Sequence, residues 1–295
     1  MEGIYLNKTI LVAGGDLRQV HLANLFAQSN TVYAIGFNEY IEFDQKVQLV
    51  TRPESVRTRP DYLILPVSAC TDGGYLSTPL WDYRLRLAAL LDGMERPSLV
   101  FGGILDSEAE KVISLRGLSY INYLQREELA VLNAVPTAEG ALQIMMEELP
   151  TTIYGQKCLM TGFGRISKVL TKYLTALGAS LTIAARKYSD LAWARIYGAQ
   201  AVRIPEMQRG IEEYTAVINT VPALIFSEEI LSKLKKGCLV IDLASKPGGV
   251  DFETANRLGL KAIWALSLPG KTAPITSGEI VYDTICNILQ ERGEV

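Results

Sequence analysis

Histidine and cysteine are both scarce in this chain. Its 295 residues include one histidine, His21, and four cysteines that lie far apart and form no CxxC pair: Cys70, Cys158, Cys238 and Cys286. Zinc sites and disulfide frameworks depend on closely spaced cysteine and histidine residues. We therefore predict no metal site and four free thiols in a reducing compartment, with Cys158 and Cys238 buried because they lie in apolar runs.

An excess of positive charge and a long apolar run are also lacking. The formal net charge is −3 with basic residues scattered along the chain, whereas nucleic-acid-binding proteins concentrate lysine and arginine in one patch. No uninterrupted apolar stretch reaches the ~20 residues that cross a bilayer. The first ten residues do not have the pattern of a signal peptide. We expect a cytoplasmic protein that binds neither nucleic acid nor membrane.

The composition is that of a globular protein, with 48% hydrophobic and 21% charged residues in a chain long enough for two domains. Strand-like and helix-like segments alternate, and apolar runs such as LILPV are typical of strands buried on both faces of a parallel sheet. The predicted fold class is α/β, with two Rossmann-like doubly wound parallel-sheet domains joined by long helices.

The same alternation predicts the order of domains. It gives a flavodoxin-like or Rossmann-like substrate domain (1–135), a connecting helix (136–150), a dinucleotide-binding Rossmann domain (151–272) and a C-terminal helix that packs back toward the first domain (273–295). In the connecting segment, Pro136, Thr137 and Glu139 precede an apolar helical run, which predicts that Thr137 caps the helix and Glu139 completes a capping box.

Individual elements follow from hydrophobic periodicity. In the first domain the predicted strands are Thr9–Val12, Thr31–Ile35, Asp61–Val67 and Ser98–Gly102, and the predicted helices are Leu17–Gln28 and Trp81–Leu91. In the second domain six strands are predicted, at Lys157–Thr161, Leu181–Ala185, Ala201–Ile204, Ala216–Asn219, Leu239–Leu243 and Ala262–Leu266. A helix from Ile166 stops at Gly178, and a last helix covers Ser277–Glu291.

A glycine motif follows the first strand of the second domain and opens a helix. It reads Gly162-Phe163-Gly164-Arg165-Ile166. Gly162 permits a tight turn, and Gly164 lets the backbone approach the pyrophosphate of a dinucleotide at the start of a helix. Ser167 stands where a third glycine is usual, and we expect it to loosen the packing of helix on strand slightly. A plain strand-turn-helix is the alternative.

The residues after the next strand indicate which dinucleotide is bound. An acidic residue there would accept hydrogen bonds from the ribose of NAD, but Ala184–Ser189 contains none. Arg186, Lys187 and Ser189 instead favour NADP, because they offer two cations and a hydroxyl to a 2′-phosphate. A solvated basic turn beside bound NAD is the alternative.

Two further loops are predicted to flank the nicotinamide, because the carboxyl ends of parallel strands are where such sheets bind ligands. Their residues are Asn219, Thr220, Val221 and Pro222 after the fourth strand, and Asp242, Leu243, Ala244 and Ser245 after the fifth. Strand ends that simply turn, with the help of Pro222 or Gly248-Gly249, are the alternative for each residue.

The segment after the sixth strand restricts the chemistry. Two-domain 2-hydroxyacid dehydrogenases carry a catalytic histidine there, whereas residues 266–271 read LSLPGK. Lys271 is the candidate that would act in its place. An oxidation that creates an aromatic ring needs less help from a base, because aromatisation favours the product and the ring proton is easily lost.

Six stretches spread over nearly the whole chain carry a resemblance to a known family: GGDLRQ (14–19), ILPVSA (64–69), NAVPTAEG (133–140), GFGR (162–165), DLASKPGG (242–249) and LPGKTAP (268–274). In order and number they resemble the family of dipicolinate synthase A-subunits. The resemblance implies oxidation of a dihydrodipicolinate, or its hydrated precursor, to dipicolinate with NADP or NAD, in the mother cell of a sporulating bacterium.

The resemblance also implies a partner, the flavoprotein-like B-subunit of dipicolinate synthase. Analogy with other large two-domain dehydrogenases suggests a homo-oligomer. Two other functions remain open from the residues: a non-catalytic NAD(P)-binding sensor or scaffold, and an enzyme like the 2-hydroxyacid dehydrogenases, which the missing histidine disfavours.

A dicarboxylate substrate needs cations that replace its hydration. Arg18, beside the Gly14-Gly15-Asp16 turn, is the first candidate, with Lys246 and Lys271 from the second domain. That turn lacks the later glycines of a dinucleotide motif, so a substrate-carboxylate site is predicted there, and an ordinary tight turn is the alternative. Side chains that would orient the ring or take its proton are Asp16, Ser68, Thr137 and Glu139. Helix capping or a turn is the structural alternative for each of these.

Overall fold

The computed structural model describes residues 7–294. Its contacts divide the chain into two compact units. The first unit runs to Leu132 and takes up the chain again from Ala273, and the second unit is the continuous segment Asn133–Thr272.

The strands form two six-stranded sheets and a short hairpin. Those of the first unit are β1 (Thr9–Ala13), β2 (Thr31–Ile35), β3 (Val47–Val50), β4 (Tyr62–Ile64), β5 (Cys70–Asp72), β6 (Tyr75–Leu76), β7 (Leu99–Gly102) and β8 (Tyr120–Asn122). Those of the second are β9 (Lys157–Thr161), β10 (Ser180–Ala185), β11 (Gln200–Arg203), β12 (Ala216–Asn219), β13 (Leu239–Asp242) and β14 (Lys261–Trp264).

The helices in chain order are α1 (Leu17–Phe26), α2 (Leu87–Asp92), α3 (Ser107–Leu115), α4 (Glu127–Leu132), α5 (Ala134–Glu148), α6 (Arg165–Ala176), α7 (Tyr188–Ile196), α8 (Glu228–Leu231), α9 (Phe252–Arg257), α10 (Leu268–Thr272) and α11 (Pro274–Glu291). Short 3₁₀ turns occur at Pro53–Ser55, Tyr123–Gln125, Ile204–Glu206 and Ile211–Glu213.

Both large sheets have the strand order of a doubly wound Rossmann sheet. The orders are β3-β2-β1-β4-β7-β8 and β11-β10-β9-β12-β13-β14, and the neighbouring strands of both are parallel. The predicted fold class is therefore confirmed. In such sheets the carboxyl ends of the strands form the edge where ligands bind, and the first strand lies beside the point where the order reverses.

In the first unit, the C-terminal helix α11 packs along α1. The rings of Phe26 and Tyr282 meet edge to face with centroids 4.7 Å apart. A Cβ on Gly278 would lie 2.7 Å from the carbonyl oxygen of Arg18, so only glycine permits this close approach. Burial of Ile280, Val281 and other apolar residues of α11 completes the core on one face of the sheet.

The first unit differs from its predicted elements in one helix. The helix predicted over Trp81–Leu91 is limited to α2, because the residues before it are extended. Leu76 donates its N–H to the carbonyl of Leu85 at 2.8 Å, and Tyr75 forms an antiparallel bridge with Arg86. These long-range bonds outweigh the helical periodicity of the segment. The strand predicted over Asp61–Val67 is likewise shorter, and β3, β8 and the hairpin were not predicted.

The capping box predicted at the start of α5 is wrong. The helix begins at Ala134, three residues before Thr137, and Pro136 lies inside its first turn. Proline is tolerated there because the N–H groups of a first turn have no intrahelical partners. The Thr137 hydroxyl donates to the carbonyl of Asn133 at 2.7 Å, which is a bond within the helix rather than a cap.

In the second unit the six predicted strands are all confirmed, with small shifts at their ends. The helix after β9 is also present and is followed by Gly178 in a left-handed conformation, with φ +79°. The helical stretch Glu127–Glu148, made up of α4 and α5, is long and apolar enough to cross a membrane by length and composition alone. Core helices of globular proteins share that property, and Ala138, Ala141 and Met145 of this stretch are buried in the core of the second unit.

The four cysteines provide a test of this packing. All are buried, and burial raises the pKa of the thiol to about 12 in Cys70, Cys158 and Cys238 and to about 11 in Cys286. Because the thiolate is the reactive form and is a very small fraction of each thiol at pH values well below its pKa, we expect almost no reaction with a disulfide reagent at about pH 8 in the folded protein. Unfolding in guanidinium should release all four thiols. Fast reaction of a thiol in the folded protein would contradict the buried placement.

Candidate functional site

The turn after β9 is held in a shape that only glycine adopts easily. Gly162 has φ +85°, and a Cβ there would lie 2.6 Å from the hydroxyl of Thr220. The amide of Gly162 donates to the carbonyl of Ala184 at 2.9 Å, which fixes the turn beside β10. Phe163 is 5% exposed and its ring packs edge to face on Tyr197. Its side chain therefore anchors the turn in the core rather than contacting a ligand.

Gly164 lies at the start of α6 and faces open space. Apart from Gly164, its two chain neighbours and the nearby backbone of α6, no atom of residues 7–294 lies within 4 Å of a Cβ placed on Gly164. The first-turn N–H groups of a helix have no intrahelical partners, and glycine brings no side chain that would cap them. Open space in front of a helix N-terminus that follows a tight glycine turn suits a pyrophosphate.

Ser167 ties α6 to the neighbouring loop. The residue is fully buried, and its hydroxyl lies 2.9 Å from that of Thr220. Because Thr220 donates its one hydroxyl hydrogen to the carbonyl of Thr161, Ser167 is the donor in this pair. The hydroxyl of this serine, which stands in place of the third glycine, links the helix to the loop after β12.

A fully buried network joins the ends of β9, β12 and β13 through the side chain of Asn219. Its amide oxygen accepts from the hydroxyl of Thr161 at 2.6 Å and from the amide of Val221 at 3.1 Å. Its amide nitrogen donates to the carboxylate of Asp242 at 2.7 Å and to the carbonyl of Val221 at 2.9 Å. All four hydrogen-bonding positions of this carboxamide are thus occupied.

The carboxylate of Asp242 likewise forms its hydrogen bonds with groups of the protein. Besides Asn219, its carboxylate accepts from the backbone amides of Ala244 at 3.0 Å and Gly249 at 2.7 Å. Asn219 and Asp242 are both 0% exposed. Their predicted role therefore changes, because the side chains hold the two loops in place rather than contact a cofactor.

The other residues predicted in these two loops differ in exposure. Leu243 and Ala244 are buried, Thr220 and Val221 are half-buried, and Pro222 and Ser245 are exposed. A ligand at this edge of the sheet would therefore meet the exposed loop residues and the backbone, while the buried ones maintain the shape of the edge.

The cations predicted for a 2′-phosphate lie at the end of β10. Arg186, Lys187 and Ser189 are all exposed there, and α7 begins at Tyr188. Ile166 and Arg165, also predicted as cofactor contacts, lie in the first turn of α6. The two groups belong to neighbouring loops of one sheet edge.

Arg203 was not predicted, although it adds a third cation to this edge. It ends β11 and pairs in register with Ala185, the last residue of β10. Its guanidinium lies 4.7 Å from the ring centroid of Tyr188 and donates to the hydroxyl of that residue at 2.7 Å. In the sequence, Arg203 is visible as a cation at the carboxyl end of the third strand. That it lies beside Arg186 and Lys187 follows only from the pairing of β11 with β10.

In the first unit, Asp16 and Arg18 bind one another. Asp16 caps α1 by accepting from the amide of Arg18 at 3.1 Å. The Arg18 guanidinium donates to the same carboxylate through Nε at 2.9 Å and Nη2 at 2.7 Å. Arg18 is only 9% exposed. The carboxylate bound by this guanidinium is therefore that of Asp16, which restricts the predicted role of Arg18 in binding a substrate.

The remaining predicted catalytic residues are spread over both units. Ser68 is exposed after β4 in the first unit. In the second unit Glu139, Lys246 and Lys271 are exposed, and Thr137 is half-buried. Burial and the neighbouring Glu139 carboxylate raise the pKa of Tyr173 on α6, which places Glu139 beside that helix.

The fold and the glycine turn define a class. The two-unit chain has the architecture of dehydrogenase-type nucleotide-binding proteins. It is similar in fold to the transhydrogenase from Sinorhizobium meliloti, with a TM-score of 0.74 and 15% identity over 97% of this chain and 95% of the other.

The sequence narrows this class to one family. Residues 9–124 match the family model for the N-terminal domain of the dipicolinate synthase A-subunit. The chain is 30% identical over 284 residues to the dipicolinate synthase A-subunit of Bacillus subtilis (strain 168), covering 96% of each. It is also similar to the crystal structure of the dipicolinate synthase A-subunit from Bacillus halodurans, with a TM-score of 0.87 and 27% identity over 97% of this chain and 99% of the other. The chain belongs to the family of dipicolinate synthase A-subunits.

Gly164→Ala should separate dinucleotide binding from folding. The added methyl group meets no atom of the described chain and φ −86° suits alanine, so the free energy of unfolding should change by less than about 1 kcal/mol. The methyl group occupies the space through which a pyrophosphate approaches, and we expect the Kd for NADP or NAD to rise at least about tenfold. Calorimetric titration and urea unfolding measure the two quantities.

Gly162→Ala is the matched control. Its left-handed backbone and the close approach to Thr220 make alanine strained, so this variant should lose stability as well as binding. A Gly164→Ala protein that binds both dinucleotides normally would show that the turn is not the pyrophosphate site.

Proposed function

We propose that this protein is the oxidoreductase component of dipicolinate synthesis, which oxidises dihydrodipicolinate or its hydrated precursor to dipicolinate with NADP during sporulation. The observation that carries the proposal is a glycine turn shaped for a dinucleotide, at Gly162 and Gly164, in a chain of the dipicolinate synthase A-subunit family.

NADP, when bound, supplies the acceptor for the hydride. The residues of the second unit fit this cofactor in two respects. The space before Gly164 is open to a pyrophosphate, and the end of β10 carries Arg186 and Lys187 with no acidic residue in Ala184–Ser189. An acidic side chain there would repel a 2′-phosphate, whereas arginine and lysine bind it by charge-assisted hydrogen bonds.

Arg203 supports the preference for NADP over NAD. Its guanidinium is held against the ring of Tyr188 by stacking and by one hydrogen bond, so little side-chain entropy remains to be lost on binding. With Arg186 and Lys187 it places three cations at the ends of β10 and β11. NAD, which lacks the 2′-phosphate, gains nothing from these charges.

Arg186→Ala should change the choice between the two cofactors. A charge-assisted hydrogen bond contributes about 1.5–3 kcal/mol, so we expect the Kd for NADP to rise about 10- to 100-fold and the Kd for NAD to stay within about twofold. Arg195→Ala is the matched control, because Arg195 is exposed near the C-terminal end of α7, the helix that Arg186 precedes. Equal losses for NADP and NAD would contradict a 2′-phosphate site at Arg186.

As cations for the dicarboxylate we propose Arg18 in the first unit and, as separate candidates, Lys246 and Lys271 in the second. Lys246 and Lys271 are exposed in the second unit, after β13 and β14. Arg18 keeps further N–H groups besides those that bind Asp16, so Asp16 would orient the guanidinium toward a substrate carboxylate. Ser68 and Glu139 are the proposed groups that orient the ring or take up its proton, and Thr137 is placed in a supporting position.

A second protein is part of the proposal. The Bacillus subtilis relative is named as one of the subunits of a synthase, so we infer a complex with a flavoprotein-like B-subunit in the cytoplasm of the mother cell. A homo-oligomer of this chain is compatible with the proposal, since closed symmetry is the rule among oligomers.

The reaction can be followed by the absorbance of NADPH. The purified chain is mixed with NADP and freshly generated 4-hydroxytetrahydrodipicolinate, alone and with the B-subunit. We expect NADPH and dipicolinate in equal amounts in at least one mixture, because oxidation of the ring releases one hydride for each aromatic product. At an NADP concentration near the Kd of the unsubstituted protein, Gly164→Ala should reduce the signal several-fold and Arg195→Ala should keep it.

Lack of product in both mixtures, with intact substrate and confirmed NADP binding, would contradict the oxidation and favour a non-catalytic NADP-binding protein. Turnover of 2-hydroxyacids at ordinary enzymatic rates would favour the hydroxyacid dehydrogenase alternative instead.

A further inference from the structure

The first unit contains an open cavity at the carboxyl ends of β2 and β3, with a volume of about 690 Å³. We call it the aromatic basin. Its defining residues are Glu39, Tyr40, Arg52, Trp81 and Tyr83. It lies in the first unit only, and neither the glycine turn nor the cations of the second unit belong to it.

The aromatic rings of the basin are unusually exposed. Tyr40 is 75% and Tyr83 is 68% exposed. Trp81 and Tyr83 form one wall, with ring centroids 5.4 Å apart. The hydroxyl of Tyr40 accepts a hydrogen bond from the side chain of Asn38 at 2.7 Å, which fixes that ring. Large aromatic surfaces held around a concave space are typical of binding sites.

The place of the basin in the sheet indicates which ligand it fits. The first unit has the same strand order as the second, and in such sheets the ends of the second and third strands hold the nucleoside half of a dinucleotide. Glu39 follows β2. In dinucleotide-binding sheets an acidic residue after the second strand accepts hydrogen bonds from the ribose hydroxyls. Arg52 follows β3 and offers donors to the ring nitrogens of a base.

The phosphate half of the corresponding site is closed. The amide of Gly15 donates to the carbonyl of Ser77 at 2.8 Å, and a Cβ on Gly14 would lie 2.7 Å from the same oxygen. The carboxylate of Asp16 caps the helix start and binds Arg18. A phosphate at this turn would face a carbonyl oxygen and a carboxylate in place of free amides.

We propose that the aromatic basin binds a purine nucleoside, or the nucleoside end of a ligand without an anionic 5′ group. The base stacks on Trp81, whose ring meets that of Tyr83 edge to face, and the ribose hydroxyls donate to Glu39. This site is distinct from the dinucleotide site of the second unit and does not depend on the proposed oxidation.

The test uses the full chain saturated with NADP, so that the second unit is occupied. Adenosine, AMP and ADP are titrated by calorimetry and by tryptophan fluorescence. We expect one adenosine per chain and an affinity that does not rise from adenosine to AMP to ADP, because the turn presents a phosphate with the carbonyl oxygen of Ser77 in place of free amides. A dinucleotide site shows the opposite order, since phosphates are what its amides bind.

Trp81→Leu should weaken adenosine binding at least about tenfold, in the range of base–aromatic stacking. Trp193→Leu is the matched control, because Trp193 is a half-exposed tryptophan on α7 of the second unit. Glu39→Gln provides an independent variant at an exposed position. It should weaken binding of adenosine several-fold and leave that of 2′,3′-dideoxyadenosine unchanged.

Three results would overturn the proposal. They are the absence of saturable adenosine binding at millimolar concentration, tighter binding of ADP than of adenosine, and binding that neither Trp81→Leu nor Glu39→Gln weakens.

Discussion

The edge of the second sheet depends on one buried carboxamide, that of Asn219. Three strands end at this side chain, and each of its four hydrogen bonds goes to a group of the protein itself. Leaving a buried donor or acceptor unpaired costs about 1–3 kcal/mol, so the loops after β12 and β13 have little freedom to move away. The carboxylate of Asp242, in the same network, accepts hydrogen bonds from two further backbone amides. One of these belongs to Gly249, and this bond fixes the loop after β13. The exposed residues of this edge are held in position by groups that no ligand touches.

The two units show how one strand order supports two different sites. After β9 the glycine turn is followed by open space, whereas after β1 a carbonyl and a carboxylate occupy the same place. The carbonyl is that of Ser77, directly after the β5–β6 hairpin, for which residues 133–272 have no counterpart at the corresponding position, and the carboxylate is that of Asp16. Fold alone therefore does not indicate which edge binds phosphate.

Much of the second unit was predictable from the sequence because its strands are short apolar runs separated by clear turns. The glycine turn was predictable for the same reason, since strand, spacing and helix are all local features.

Predictions failed where distant residues decide the structure. The extended segment before α2 depends on bonds from Leu85 and Arg86 back to the hairpin. Asn219 was placed at the correct edge, but periodicity does not show that all four hydrogen bonds of its side chain are internal. Arg203 was missed because its position beside Tyr188 exists only across two paired strands.

The position of α11 has a consequence for synthesis on the ribosome. The second unit is one continuous segment and is complete when Thr272 has emerged, but the first unit lacks a helix until residues up to Glu291 are made. Until then the face of α1 that carries Phe26 has no covering helix. The half of the chain that is translated first is therefore the last to finish folding, and a nascent chain stalled before Ala273 would expose the apolar surface that chaperones bind.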